Sequence, residues 1–187
     1  MSDRPFYAAL PNLISLARLL AVPLAVWLIV SDRLGVAFWL FVAAGISDAL
    51  DGFLAKHLDL RSELGAYLDP LADKALLTSV YVTLGYEGHM ASWLVILVVF
   101  RDVLIIGGAI LYQTLTGALR MQPLLISKIN TAAQIALAAV VLAQSGLGVD
   151  YGIATLLVPV VAATTLASGG AYLVVWGWRA LHMQGRS

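Results

Sequence analysis

Asp48, Asp51, Asp69 and Asp73 are four carboxylates in a chain that otherwise reads as membrane. They lie in Asp48-Ala49-Leu50-Asp51-Gly52-Phe53-Leu54-Ala55-Lys56 and, after eight intervening residues, in Gly65-Ala66-Tyr67-Leu68-Asp69-Pro70-Leu71-Ala72-Asp73. An ionised carboxylate inside a bilayer costs roughly 2.5–3.5 kcal/mol on insertion scales. Four of them on neighbouring apolar segments need a compensating partner, and a divalent cation is the obvious one. Asp48 and Asp51 are spaced i,i+3, and Asp69 and Asp73 are spaced i,i+4; on a helix each pair shares a face. Two such pairs on facing helices can converge on one small volume, where the charges repel strongly without a cation. A carboxylate-only donor set suits a hard ion such as Mg²⁺ or Mn²⁺, whereas zinc prefers histidine or cysteine.

The residues around the acids suit a phosphorylated ligand. Gly52 follows Asp51 inside a helical pattern, where glycine costs about 1 kcal/mol relative to alanine; a close approach by a ligand or a helix is a reason for it. Ala55, one turn on, keeps the same face low. Gly65 is expected to open the next helix, whose free backbone N–H groups favour phosphate, and Lys56 can neutralise a phosphoryl oxygen. Carboxylates, one basic side chain and glycine-lined space describe a site for metal plus diphosphate. Intramembrane carboxylates also serve ion and proton pathways, but here the acids cluster toward one membrane face. A non-enzymatic ion or proton carrier is the alternative from a different class.

These residues must be held by membrane helices. The chain has 187 residues, is 61% hydrophobic and only 12% charged, too apolar for one small soluble core. A helix needs about 20 apolar residues to cross a bilayer. Six spans are predicted: about Asn12 to Val30, Gly35 to Lys56, Gly65 to Gly85, Ser92 to Tyr112, Lys128 to Gln144 and Tyr151 to Trp178. Turns are predicted at Ser31-Asp32-Arg33, Glu87-Gly88-His89 and Ser145-Gly146-Leu147-Gly148. The fold class is therefore all-α, an integral membrane bundle of six transmembrane helices. Residues 1–187 are read as a single domain. Formal net charge is zero, which gives no reason to expect a nucleic-acid partner. The chain has no cysteine, so thiolate metal sites and cysteine nucleophiles are excluded.

Lysine and arginine placement sets the orientation. With the N-terminus in the cytoplasm, the outer turns carry only Arg33. The inner side carries Arg4, Arg61, Arg120, Arg179 and Arg186, with Lys56 and Lys128 at helix ends. Both termini and the acids are then expected on the cytoplasmic side. No targeting segment is read before the first span, so a bacterial inner membrane is expected, with a processed organellar form as the alternative. The small residues Ala162-Ala163-Thr164-Thr165 and Ala167-Ser168-Gly169-Gly170-Ala171 permit close helix packing, within one chain or across a dimer. Arg101 falls near the middle of the fourth span, where an unpaired arginine is costly. It is read either as an internal salt bridge, with Asp102 for instance, or as an anion site for an acceptor phosphate. Lys128 and Arg18 could point to the same cavity.

The spacing D-x2-D-G-x2-A-R-x8-G-x3-D-x3-D over residues 48–73 closely resembles the signature of the CDP-alcohol phosphatidyltransferases. Every fixed position matches except one: Lys56 stands where the family usually has arginine. Lysine keeps the charge and loses the two-pronged contact. The resemblance implies a six-helix membrane enzyme, often dimeric, with two divalent cations, Mg²⁺ or Mn²⁺. Asp48, Asp51, Asp69 and Asp73 are then the ligands, with Asp73 also the general base. CDP-lipid binding falls to Asp48, Gly52, Ala55, Lys56, Gly65 and Asp69, and acceptor binding to Arg18, Arg101 and Lys128. Pro11-Asn12-Leu13-Ile14-Ser15-Leu16-Ala17-Arg18 is similar to the opening shared by phosphatidylglycerophosphate synthases and CMP-forming cardiolipin synthases. Arg101-Asp102-Val103 and Ile126-Ser127-Lys128-Ile129-Asn130-Thr131-Ala132-Ala133-Gln134 look more like the cardiolipin synthases. This resemblance implies CDP-diacylglycerol as donor and phosphatidylglycerol as acceptor, giving cardiolipin and CMP, with sn-glycerol 3-phosphate as the alternative acceptor.

Overall fold

The computed structural model describes the backbone of residues 5–58, 63–116, 124–149 and 151–183, and side chains mainly within 14–49, 71–111, 124–149 and 151–176. Among the described residues the chain forms six helices: α1 (Pro5–Val30), α2 (Leu34–Leu58), α3 (Glu63–Tyr86), α4 (Ser92–Thr116), α5 (Leu125–Leu147) and α6 (Ile153–Met183). A helix satisfies every interior backbone N–H and C=O within its own segment, as a spanning element must. Among the described residues three stretches are long and apolar enough to cross a membrane: Ser92–Leu111, Leu125–Leu147 and Ile153–Trp176. Ile14–Val30 and Leu34–Ala49 are shorter apolar helices.

The ends of α1 and α3 have a chemical cause. At the end of α1, Asp32 adopts φ 57°. The Asp32 N–H donates to the Ile29 carbonyl at 3.0 Å and the Arg33 N–H to the Leu28 carbonyl at 2.8 Å. This is the paired arrangement that closes a helix through one left-handed residue. Gly88, with φ 80°, does the same for α3, where the His89 N–H reaches the Leu84 carbonyl at 2.9 Å. Both turns lie where they are predicted.

Several boundaries differ from expectation. α1 begins at Pro5 rather than Asn12, and proline is pre-set for a first helical position. α3 begins at Glu63 rather than Gly65, so Gly65 lies within the first turn instead of opening it. α6 continues to Met183. α5 runs through Ser145 and Gly146 to Leu147, where a turn is predicted. The reason is packing. A Cβ at Gly146 would stand 2.2 Å from the Gly35 nitrogen and 2.4 Å from the Leu34 carbonyl carbon. Glycine serves there as a contact surface against the start of α2.

The chain divides into two compact units. The first holds α1, α2, α3 and the last part of α5, from Ala138. In it α1 packs against both α2 and α3, around Ala25, Leu28, Ile29, Phe41, Leu76, Val80, Tyr81 and Leu84. The second holds α4, α5 up to Leu137, and α6. In it α4 packs against α6, with Leu94, Val98, Leu137 and Val161 buried.

Polar side chains share the apolar interior, and large apolar side chains face outward. Ser15, Arg18, Arg101, Asp102, Asn130, Gln134, Thr165 and Ser168 are buried, while Leu20, Trp39, Ile96, Phe100, Leu156 and Val174 are each more than half exposed. Exposed apolar surface on this scale marks an interaction face. On helices of this length the face is lipid. Trp27, Trp39 and Trp93 are exposed and lie near helix ends, as interfacial anchors do. The Arg33 guanidinium sits 5.5 Å from the Trp27 ring centroid.

Candidate active site

Asp48 lies toward the C-terminal end of α2, and Asp73 lies in the first half of α3. Arg18 of α1 joins them. Its Nη1 donates to Asp48 Oδ1 at 2.8 Å and also to Asp73 Oδ1. Two oxygens that meet one nitrogen lie within two hydrogen-bond lengths of each other, roughly 6 Å. Acids on separate helices, 25 residues apart in sequence, therefore face one point. The geometry follows from α1, which packs against both α2 and α3 and carries its only described basic side chain at the level of the acids.

Burial is unequal across this cluster. The Arg18 side chain is 3% exposed, while those of Asp48 and Asp73 are 48% and 41% exposed. The guanidinium approaches from the protein interior, and the carboxylates open outward. Two carboxylates facing one point fit a hard divalent cation. Asp51 follows Asp48 by one turn of α2, and Asp69 precedes Asp73 by one turn of α3. Their side chains, with those of Gly52, Ala55, Lys56 and Gly65, lie outside the described residues. Among the described residues no group of three or more acidic or histidine side chains forms.

The second unit holds a different polar cluster. Arg101 of α4 is buried. Its Nη1 donates to Asp102 Oδ1 at 2.6 Å, its Nη2 donates to Ser127 Oγ of α5 at 2.6 Å, and its Nε donates to Ser168 Oγ of α6 at 3.2 Å. Nη2 also reaches Ser168 Oγ. One arginine thus ties three helices, with its charge met by Asp102. Close by in sequence, Asn130 Oδ1 accepts from the Thr164 and Thr165 hydroxyls at 2.8 and 2.9 Å. The small-residue stripe of α6 therefore meets α4 and α5 of its own chain at these positions. Lys128 is exposed.

Sequence reasoning singled out Arg101 but not Ser127 or Ser168 as its partners. The available signal was a buried cation on an apolar helix, which demands hydroxyl or acid neighbours. A cavity of about 360 Å³, lined by Asp32, Arg33, Gly35, Trp39 and Gly146, lies by the start of α2. Asp48 is fourteen residues further along that helix, about 20 Å at 1.5 Å per residue, so this cavity is not the acid site.

Comparison with known proteins identifies the family. The family model for CDP-alcohol phosphatidyltransferase matches residues 8–173. The chain is 37% identical over 188 aligned positions to a chloroplastic CDP-diacylglycerol–glycerol-3-phosphate 3-phosphatidyltransferase of Oryza sativa subsp. japonica, covering 90% of this chain and 57% of the rice protein. It is 36% identical over 150 positions to the CMP-forming cardiolipin synthase of Homo sapiens, covering 72% of this chain and 50% of the human protein. It is 34% identical to a cardiolipin synthase (CMP-forming)/mitochondrial hydrolase fusion protein of Schizosaccharomyces pombe, covering 88% of this chain and 30% of the fusion protein. The chain thus spans between 30% and 57% of the length of these relatives. With three helices long enough to span a bilayer, buried polar clusters and a family match over most of its length, this integral membrane chain belongs to the CDP-alcohol phosphatidyltransferase family.

Proposed function

We propose that the chain transfers the phosphatidyl group of CDP-diacylglycerol to a hydroxyl of phosphatidylglycerol, giving cardiolipin and releasing CMP. The observation that carries the reading is the convergence of Asp48 and Asp73 on one point. Asp48, Asp51, Asp69 and Asp73 would hold two divalent cations, Mg²⁺ or Mn²⁺, which when bound neutralise charge on the diphosphate. Asp48, Gly52, Ala55, Lys56, Gly65 and Asp69 form the CDP-lipid surface: small residues keep room for the nucleotide, Lys56 offsets a phosphoryl oxygen, and first-turn N–H groups of α3 face anionic oxygens.

Asp73 accepts the proton of the acceptor hydroxyl as that oxygen attacks the phosphorus bearing diacylglycerol. The P–O bond to CMP breaks, and CMP leaves with its phosphate. Alignment of the two groups supplies much of the rate. Of the basic side chains Arg18, Arg101 and Lys128 expected at the acceptor's phosphate, Arg18 lies at the acids, Lys128 is exposed, and the Arg101 charge is met by Asp102. We further infer one catalytic domain over residues 1–187, a homodimer, and a cytoplasmic acid site in a bacterial inner membrane. The basic-residue bias supports that orientation.

The test is CMP release. Purified protein is incubated with CDP-diacylglycerol, Mg²⁺ or Mn²⁺, and each acceptor in turn. CMP and cardiolipin are expected with phosphatidylglycerol. No CMP with any alcohol acceptor overturns the enzyme reading and leaves the ion or proton carrier. The second reading, sn-glycerol 3-phosphate as acceptor, is favoured by the rice relative's similarity over 90% of this chain. Product from glycerol phosphate alone would establish it.

A further inference from the structure

Arg18 is buried on α1, yet its Nη1 contacts both Asp48 and Asp73. It is thus a fixed positive charge at the point where two of the proposed metal ligands meet. A buried guanidinium is held there by the cost of leaving it unpaired, and the opening around it is the acids themselves. A divalent cation drawn to those acids meets oxygens already engaged by a cation, and two positive charges a few ångströms apart repel.

We propose that Arg18 is the internal counter-ion of the acidic site and competes with the divalent cation for Asp48 and Asp73. This inference rests on the metal-site reading given above. It makes Arg18 a positioning residue that acts through the acids. Without a divalent ion the guanidinium keeps α2 and α3 together against carboxylate repulsion. When an ion engages the acids, the guanidinium loosens and its N–H donors can turn to an anionic oxygen of a phosphate. Metal binding and phosphate binding would then favour one another, because coupling between two ligands is reciprocal. The arrangement also sets metal affinity lower than four acids alone would give, so that the ion exchanges.

The test measures Mn²⁺ binding by electron paramagnetic resonance of the free ion, on full-length protein in detergent stripped of metal. Wild type, Arg18→Gln and Arg18→Lys are compared, with thermal unfolding read in parallel. Arg18→Gln is expected to bind Mn²⁺ at least about tenfold more tightly, since a neighbouring unit charge has been removed. Its metal-stripped form should unfold at lower temperature than wild type, with Mn²⁺ restoring more of the difference than it does for wild type. Arg18→Lys should lie between the two in affinity.

Equal or weaker Mn²⁺ binding by Arg18→Gln overturns the proposal while leaving the metal site standing. Absence of Mn²⁺ binding by wild type and variants alike overturns the metal reading itself. If the variants do not fold, the wild type decides. With ¹⁵N-labelled arginine, two buried guanidinium resonances are expected among the described residues, those of Arg18 and Arg101, and one of them should shift with the midpoint of metal binding. If every guanidinium signal stays fixed as Mg²⁺ saturates the protein, the proposal is overturned.

Discussion

Replacing Asp102 by alanine tests how the second unit holds a buried charge. Arg101 is 3% exposed and the Asp102 side chain 11%, with 2.6 Å between Nη1 and Oδ1. Ser127 and Ser168 supply neutral oxygens to the remaining nitrogens, but Asp102 is the one acid shown bonded to the guanidinium among the described residues. Its removal leaves an uncompensated cation among packed helices, which costs about 3–5 kcal/mol in water-soluble proteins. Polar pairs in membrane helices are worth less, because the unfolded chain also finds partners. About 3 kcal/mol is therefore the working figure, and at about 2–4 °C per kcal/mol for a domain of this size the midpoint should fall by about 6–12 °C. The assay is thermal unfolding in detergent, followed by near-UV circular dichroism. The double variant Arg101→Leu/Asp102→Leu removes both charges and should unfold above Asp102→Ala, since breaking a buried pair costs more than replacing it. Unfolding of Asp102→Ala within a degree of wild type, or a double variant less stable than Asp102→Ala, would show that Asp102 does not hold the buried Arg101 charge.

Gly146→Val sets a side chain against the backbone of Gly35 and Leu34, where even a Cβ would lie at 2.2 Å; α2 and the end of α5 must separate, and expression in membranes with a lowered unfolding temperature is expected, whereas wild-type stability would mean the two segments do not pack. Asp73→Asn should lower CMP release by about 100-fold or more, the contribution of a positioned general base, while retaining measurable CDP-lipid binding by filter retention; a near-normal rate removes Asp73 from the proton transfer. Chelation should abolish CMP release, and added Mg²⁺ or Mn²⁺ should restore it; turnover that persists through exhaustive chelation contradicts the cation requirement.

The helices were legible in the sequence because lipid leaves the chain little choice: apolar runs of sufficient length, broken by Asp32 and Gly88, define most of them. Residues 145–147 were not, because serine and glycine read as a turn unless the neighbouring backbone is known. Gly146 looks like a breaker and is a contact. The aspartate spacing exposed the candidate site, since i,i+3 and i,i+4 acids on apolar helices have few other uses. The role of Arg18 was only half legible. An arginine in an apolar helix demands an anion, but which anion depends on α1 packing against both α2 and α3, and sequence separations of 30 and 55 residues carry no periodic signal. Ser127 and Ser168 were hidden for the same reason: a small hydroxyl suits close packing and hydrogen bonding equally, and the Arg101 side chain decides between them.

In the proposed site, acids of α2 and α3 close around a divalent ion. Anomalous scattering from Mn²⁺ in crystals of the full chain grown from a lipid phase locates such an ion directly. The expected map has a peak in inner-sphere contact with Asp48 and Asp73 and with the Arg18 guanidinium withdrawn from their shared oxygens. A map with no peak at the acids, with Arg18 still bridging Asp48 and Asp73 at saturating Mn²⁺, contradicts it.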